Sequence, residues 1–151
     1  MLNRSHSILV VDDEPVNLRM LERLLRRKFE VITATSGEMA LEILKGKNVS
    51  MIITDQRMPG ISGTELLRKS RAYDPDIVRI LVTANSDTDT FIDALQNSGA
   101  VRVISKPWDP DKVMQAITSA LEKYELMADN RQAMSRLRLV SEELNKIARR
   151  E

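Results

Sequence analysis

The chain has 151 residues and 17.2 kDa, with 23 Lys+Arg against 22 Asp+Glu and no cysteine. That length holds one ordinary domain with a remainder, and the missing thiols exclude disulfide scaffolds, thiolate zinc sites, iron–sulfur clusters and a cysteine nucleophile. A net charge of +1 argues against a dedicated nucleic-acid binder, and no apolar run is long enough to cross a bilayer, so a soluble, cytoplasmic chain is expected.

The first Val/Ile run, 8–11, reads as a buried strand. Pro15 then opens a helix in which Leu18, Leu21, Leu24 and Leu25 share a face. A second strand is expected at 29–34. It leads into a helix capped by Ser36, carrying Met39, Ala40, Ile43 and Leu44 and stopping near Gly46. The run 51–54 is a third strand, and Ser62-Gly63-Thr64-Glu65 has capping-box spacing before Leu66 and Leu67. A fourth strand at 79–83 precedes a helix that follows Ser86, holds Phe91, Ile92 and Leu95, and ends at Gly99. After a fifth strand at 101–105, Asp109-Pro110-Asp111 supplies a cap, a first-turn proline and an acidic first turn. Five β-then-α units make a doubly wound parallel α/β sheet the economical fold.

The last helix outruns the layer it should cover, with neither Gly nor Pro after Pro110. The expected division is a domain over 1–125 and a helical segment over 126–151, with the boundary inside a continuous helix. Leu126, Asn130, Ala133, Leu137, Val140, Leu144 and Ile147 follow the alternating four-and-three spacing of a heptad seam. A parallel coiled-coil homodimer is therefore expected. The alternative is a single amphipathic helix folded back on its own domain. The uncapped end Ala148-Arg149-Arg150-Glu151 is expected to be a cut ahead of an output domain.

In a parallel sheet the carboxyl ends of the strands share one edge, and ligands bind in the crevice there. Asp12 and Asp13 follow the first strand, Asp55 the third, Thr83 closes the fourth, and Lys106 and Pro107 follow the fifth. Three carboxylates at one spot repel and call for a cation. An oxygen-only donor set favours Mg²⁺ over zinc. An ionised Asp can accept a phosphoryl group directly, while Lys106 and a metal offset charge on the group and Thr83 hydrogen-bonds it. Taken singly, Asp12 or Asp13 could be a helix cap, Asp55 a turn residue, Thr83 structural and Lys106 a solvated cation. Their placement at successive strand ends is what favours chemistry. His6, the only histidine, precedes the first strand and is expected to be an exposed terminal residue.

Val10-Val11-Asp12-Asp13-Glu14-Pro15, Thr54-Asp55-Gln56-Arg57-Met58-Pro59-Gly60, Val82-Thr83-Ala84, Gly99-Ala100 and Ser105-Lys106-Pro107 together resemble the receiver domain of bacterial response regulators. The resemblance runs from residue 7 to about 125. It implies a flavodoxin-like fold of five parallel strands in the order 2-1-3-4-5, with Asp55 as phosphoacceptor. It also implies that Asp13, Asp55 and the main-chain carbonyl of Arg57 ligate Mg²⁺, that Asp12 acts partly through water, that Thr83 is the switch hydroxyl and that Lys106 binds phosphate. Where the family often carries an aromatic switch residue the chain has Val103-Ile104-Ser105, so ring-based coupling to Thr83 is not carried over. Arg57 and Asn85 stand at the positions that influence phosphoryl lifetime in the family. Trp108, otherwise a packing anchor, completes a Lys-Pro-Trp form that resembles receivers fused to cyclic-di-nucleotide enzymes or to NtrC-like activators.

The expected function is a phosphorylation switch that takes phosphate from a sensor histidine kinase or phosphotransfer protein. It would relay its state through the last helix to an output such as cyclic-di-nucleotide turnover or transcription activation, without binding nucleic acid or membrane itself. No turnover beyond its own phosphorylation and dephosphorylation is expected. A constitutive dimerisation or docking module is the alternative. A metal-dependent phosphatase would want a second carboxylate two residues after Asp55, where Arg57 stands.

Overall fold

Alternation of side chains across short Val/Ile-rich segments builds the core. In the computed structural model, which describes residue 2, residues 5–84 and residues 88–150, five strands form one parallel sheet in the order β2-β1-β3-β4-β5. They are β1 (Ser7–Val11), β2 (Glu30–Ala34), β3 (Met51–Asp55), β4 (Val78–Thr83) and β5 (Arg102–Ser105). Five helices alternate with them: α1 (Pro15–Leu25), α2 (Gly37–Gly46), α3 (Gly63–Ser70), α4 (Thr88–Gln96) and α5 (Pro110–Arg149).

Successive strand residues point to opposite faces, so each strand feeds two cores. Ile8, Val10, Met51, Ile53 and Ile80 pack with Leu18, Leu21 and Leu25 of α1 and with Val113, Ile117 and Leu121 of α5. Leu9, Val11, Ile52 and Leu81 face the other way, onto Ala40 and Leu44 of α2, Leu66 and Leu67 of α3 and Ala94 of α4. Burying both faces is why these strands read as continuous apolar runs. Each fully buried Leu or Ile contributes roughly 1.5–3 kcal/mol relative to exposure.

The expected caps form at three helices. Ser36 Oγ accepts from Met39 N, Ser62 Oγ from Glu65 N, and Asp109 Oδ1 from Asp111 N. Ser86 and Asn85 lie outside the described residues. Strand limits move by a residue or two. Phe29 is buried just before β2, and Val101 is exposed ahead of β5. Helix α4 holds Phe91, Ile92 and Leu95 as expected but ends at Gln96 rather than Gly99. Ala94 is the buried residue, whereas Ile92 and Leu95 are exposed.

Arg79 sits inside β4 with its guanidinium buried. It donates to Ser70 Oγ and to the carbonyls of Leu67, Asp74, Pro75 and Ile77, so it ties off the turn that follows α3. Those hydrogen bonds replace the water that the cation gives up.

His6 corrects the expectation of an exposed terminal residue. It is 5 % exposed, with Nδ1 2.8 Å from Ser50 Oγ and Nε2 3.0 Å from Glu125 Oε2.

Helix α5 continues unbroken from Pro110 to Arg149. Glu125 is its last buried position. Beyond it Leu126, Leu137, Val140, Leu144 and Ile147 are all exposed, so the tail does not fold back on the domain. An ion pair between Arg131 and Asp76, 2.9 Å long, links this segment to the sheet-bearing part. No helix among the described residues is long and apolar enough to cross a membrane.

Candidate functional site

The acidic residues meet because β1 and β3 are neighbours in register. Val11 pairs with Thr54, so Asp12 and Asp13 emerge beside Asp55. Carboxylate oxygens of Asp12, Asp13 and Asp55 all lie within 4.8 Å of one another. Asp12 extends the β1–β2 pairing through its N–H to the Ala34 carbonyl, and its Oδ1 accepts from Glu14 N at 3.0 Å. The residue thus closes the turn into α1, whose N-cap position belongs to Glu14. Asp12 is only 3 % exposed, and Asp13 is the more open of the pair.

Lys106 brings the positive charge. Its N–H bonds the Thr83 carbonyl at 2.8 Å, which carries the β4–β5 pairing one step past Ser105. Its Nζ lies 3.1 Å from Asp55 Oδ1 and 3.8 Å from Asp12 Oδ2. Thr83 is buried at the end of β4, next to the strand that presents Asp55. Arg57 follows two residues after Asp55 in the β3–α3 loop, with an exposed side chain.

Residues that sequence reasoning passed over hold that loop. Gln56 Oε1 accepts from Thr64 N at 2.8 Å, and the Gln56 carbonyl accepts from Gly63 N at 3.0 Å. From α2, Glu38 Oε1 accepts from Ile61 N at 2.9 Å, and this bond holds the Glu38 carboxyl below the usual range. Gly63 is needed for close approach, since a Cβ there would collide with the Asp55 carbonyl oxygen. Its place inside the capping box was visible in the sequence. Its contact with Asp55 was not.

Burial pushes the Asp12 carboxyl above its ordinary value. The Asp55 charge adds to the rise, while the Glu14 N–H, Lys106 and Asn17 oppose it. A carboxyl whose folded pKa is raised costs stability once it ionises: the stability is present below the unfolded value and is lost as pH rises through the folded one. Asp12→Asn should therefore stabilise the divalent-free chain at neutral pH by about 1 kcal/mol, or roughly 3 °C in Tm. The gain should vanish at pH below the ordinary carboxylate range. Thermal melts in chelator across pH check this, and a variant no more stable than wild type at pH 7 would refute it.

The oxygen-only donor set, crowded and offset by a single lysine, fits a small hard cation. The same arrangement sets the Asp55 carboxyl 3.1 Å from the Lys106 ammonium, and an aspartate oxygen so placed is a chemically competent nucleophile toward an electrophilic phosphorus.

Comparison with known proteins bears on the family and the fold. The response regulator receiver domain family matches residues 8–118. The hydrogenase transcriptional regulatory protein HoxA of Cupriavidus necator is 36% identical over 129 residues, which is 85% of this chain and 27% of HoxA. The chain thus spans about a quarter of that relative's length. Among solved structures, the signal receiver domain of an HD domain-containing protein from Pseudomonas fluorescens Pf-5 superposes with a TM-score of 0.79 at 28% identity, covering 85% of this chain and 96% of its own. A structure described as adenylate cyclase from Rhodopirellula baltica gives 0.82 at 33% identity, covering 87% and 98%.

Proposed function

The chain belongs to the response regulator receiver domain family, and on that premise we propose that it is a phosphoryl-accepting switch of a two-component system with Asp55 as the acceptor. The observation that carries the reading is Lys106 Nζ at 3.1 Å from Asp55 within the three-aspartate cluster. An Asp55 oxygen attacks the phosphorus of a phosphohistidine on a sensor kinase or phosphotransfer protein. The P–O bond forms as the P–N bond breaks, and the imidazole leaves with a proton from solvent. Lys106 balances charge on the transferring group, and the Thr83 hydroxyl would bond a phosphoryl oxygen.

Asp13 and Asp55 would hold Mg²⁺ together with the Arg57 carbonyl, and Asp12 would contribute partly through water. The ion supplies charge neutralisation at the phosphoryl oxygens. Asp13→Ala should weaken Mg²⁺ binding by tenfold or more while leaving the fold intact, because it removes a ligand and relieves carboxylate repulsion. A Mg²⁺ titration identical to wild type would return Asp13 to a purely local role.

We place the receiver at 1–125 and assign 126–151 to a coiled-coil linker that pairs two chains in the cytoplasm and passes the phosphorylation state to an output module. The relatives' names point to different outputs on similar receivers, and the transcriptional regulators favour transcription activation here. Incubation with a small phosphodonor and Mg²⁺, read by intact mass, tests the reading. A transient gain of one phosphoryl group supports the switch. No gain leaves a docking module, and continuous donor turnover without labelling indicates a phosphatase.

A further inference from the structure

Along α5, Val113, Ile117 and Leu121 are buried at four-residue spacing, and the next position in that row is Glu125. The row calls for an apolar residue there. A carboxylate only 4 % exposed needs polar partners instead. His6 supplies one, with Nε2 at 3.0 Å from Glu125 Oε2, and its Nδ1 reaches Ser50 Oγ at 2.8 Å. The ring also stands edge-on to Tyr124, with centroids 6.2 Å apart. A neutral ring satisfies both contacts when Nε2–H donates to Glu125 and Nδ1 accepts from the Ser50 hydroxyl.

The location gives this cluster its meaning. His6 immediately precedes β1, and Ser50 immediately precedes β3. Those two strands carry Asp12, Asp13 and Asp55 at their opposite ends. No residue of α5 after Glu125 is buried, and the Arg131–Asp76 ion pair is solvent-exposed, so it holds the helix only weakly. Glu125 is the last buried position of the helix.

We infer that His6 and Glu125 form a positioning pair. They bind the last buried turn of α5 to the amino ends of β1 and β3, and so set the axis along which the tail leaves the domain. The inference rests on the reading of α5 as a relay. It adds that the relay depends on residues at the far end of the sheet from Asp55. A tail with a loose last anchor swivels, and a change in the receiver is lost in that motion.

The test uses the full chain with spin labels on Arg23→Cys and Arg138→Cys, two exposed positions in a protein without native cysteine. Labelled chain is diluted in unlabelled chain of the same variant, so only distances within one chain are read. Wild type should give a single narrow distance peak. His6→Ala and Glu125→Ala should lose it, while His6→Gln, whose amide can still donate to Glu125, should restore it. Phosphodonor labelling, read on the same variants by intact mass, should stay at the wild-type level. A narrow peak in both alanine variants overturns the inference, and a broad peak in His6→Gln overturns the hydrogen-bond assignment. Loss of labelling in wild type would instead sink the switch reading while leaving the distance result to stand alone. Should His6→Ala fail to fold, Glu125→Ala at the edge of the core carries the comparison.

Discussion

Asp55→Asn should abolish phosphoryl incorporation altogether. The substitution keeps the size and planarity of a side chain that is largely buried at the end of β3, so the register of β3 between β1 and β4 is unaffected. The nucleophile itself changes. A carboxylate is ionised at neutral pH and needs no base, whereas an amide oxygen carries no charge and forms no stable acyl phosphate. Lys106 keeps a carboxylate within 3.8 Å, that of Asp12, so the ammonium is not stranded and the variant should fold normally. Mass spectrometry after incubation with a small phosphodonor and Mg²⁺ should show one added phosphoryl group on wild type and none on the variant. Labelling of Asp55→Asn at the wild-type level would place the acceptor elsewhere. Asp12 and Asp13 are then the next carboxylates to substitute.

The strands and the acidic cluster were legible in the sequence for one shared reason. A parallel sheet buried on both faces forces continuous Val/Ile runs, and whatever follows those runs must meet at one edge. Asp12, Asp13, Asp55, Thr83 and Lys106 therefore fall at one sheet edge from their sequence positions alone. The packing of α4 was not legible, because the residues that its sequence makes conspicuous are the large apolar ones, Ile92 and Leu95 among them. That helix packs through the small Ala94 and leaves Ile92 and Leu95 outside. His6 and Glu125 were opaque for a different reason. A polar contact between residues 119 positions apart leaves no periodic trace, and each residue alone looks like a surface group. Gln56 belongs to the same class, since its bonds to Thr64 close a loop that composition describes only as polar. Arg79 interrupts an apolar run and is tolerated there because backbone carbonyls surround its guanidinium.

Leu137→Asp combined with Leu144→Asp should convert the chain from dimer to monomer. From Leu126 to Arg149 the helix spans roughly 36 Å at 1.5 Å per residue, and its large apolar side chains lie in solvent, Leu137 and Leu144 at more than 60% exposure. A fold-back on the receiver would have covered them, and their heptad spacing suits the proposed pairing with a second copy. In a parallel, in-register pair Asn130 meets Asn130, so the one polar residue of the seam finds a hydrogen-bonding partner and fixes the register. Leu137, Val140, Leu144 and Ile147 then meet their counterparts, and Met127 and Met134 widen the contact. Each leucine lost from such a seam costs roughly 2–5 kcal/mol before any charge repulsion, and every substitution counts in both chains. At 1.4 kcal/mol per tenfold, the dissociation constant should rise well over a thousandfold. Light scattering across a range of concentrations should give a dimer for wild type and a monomer for the variant. The receiver should be untouched, because every substituted side chain lies beyond the last buried turn of α5. If both proteins are monomers with equal helicity, the heptad seam pairs nothing and the tail is a tether. The phosphorylation state of Asp55 would then have to reach any output through a face of the receiver itself.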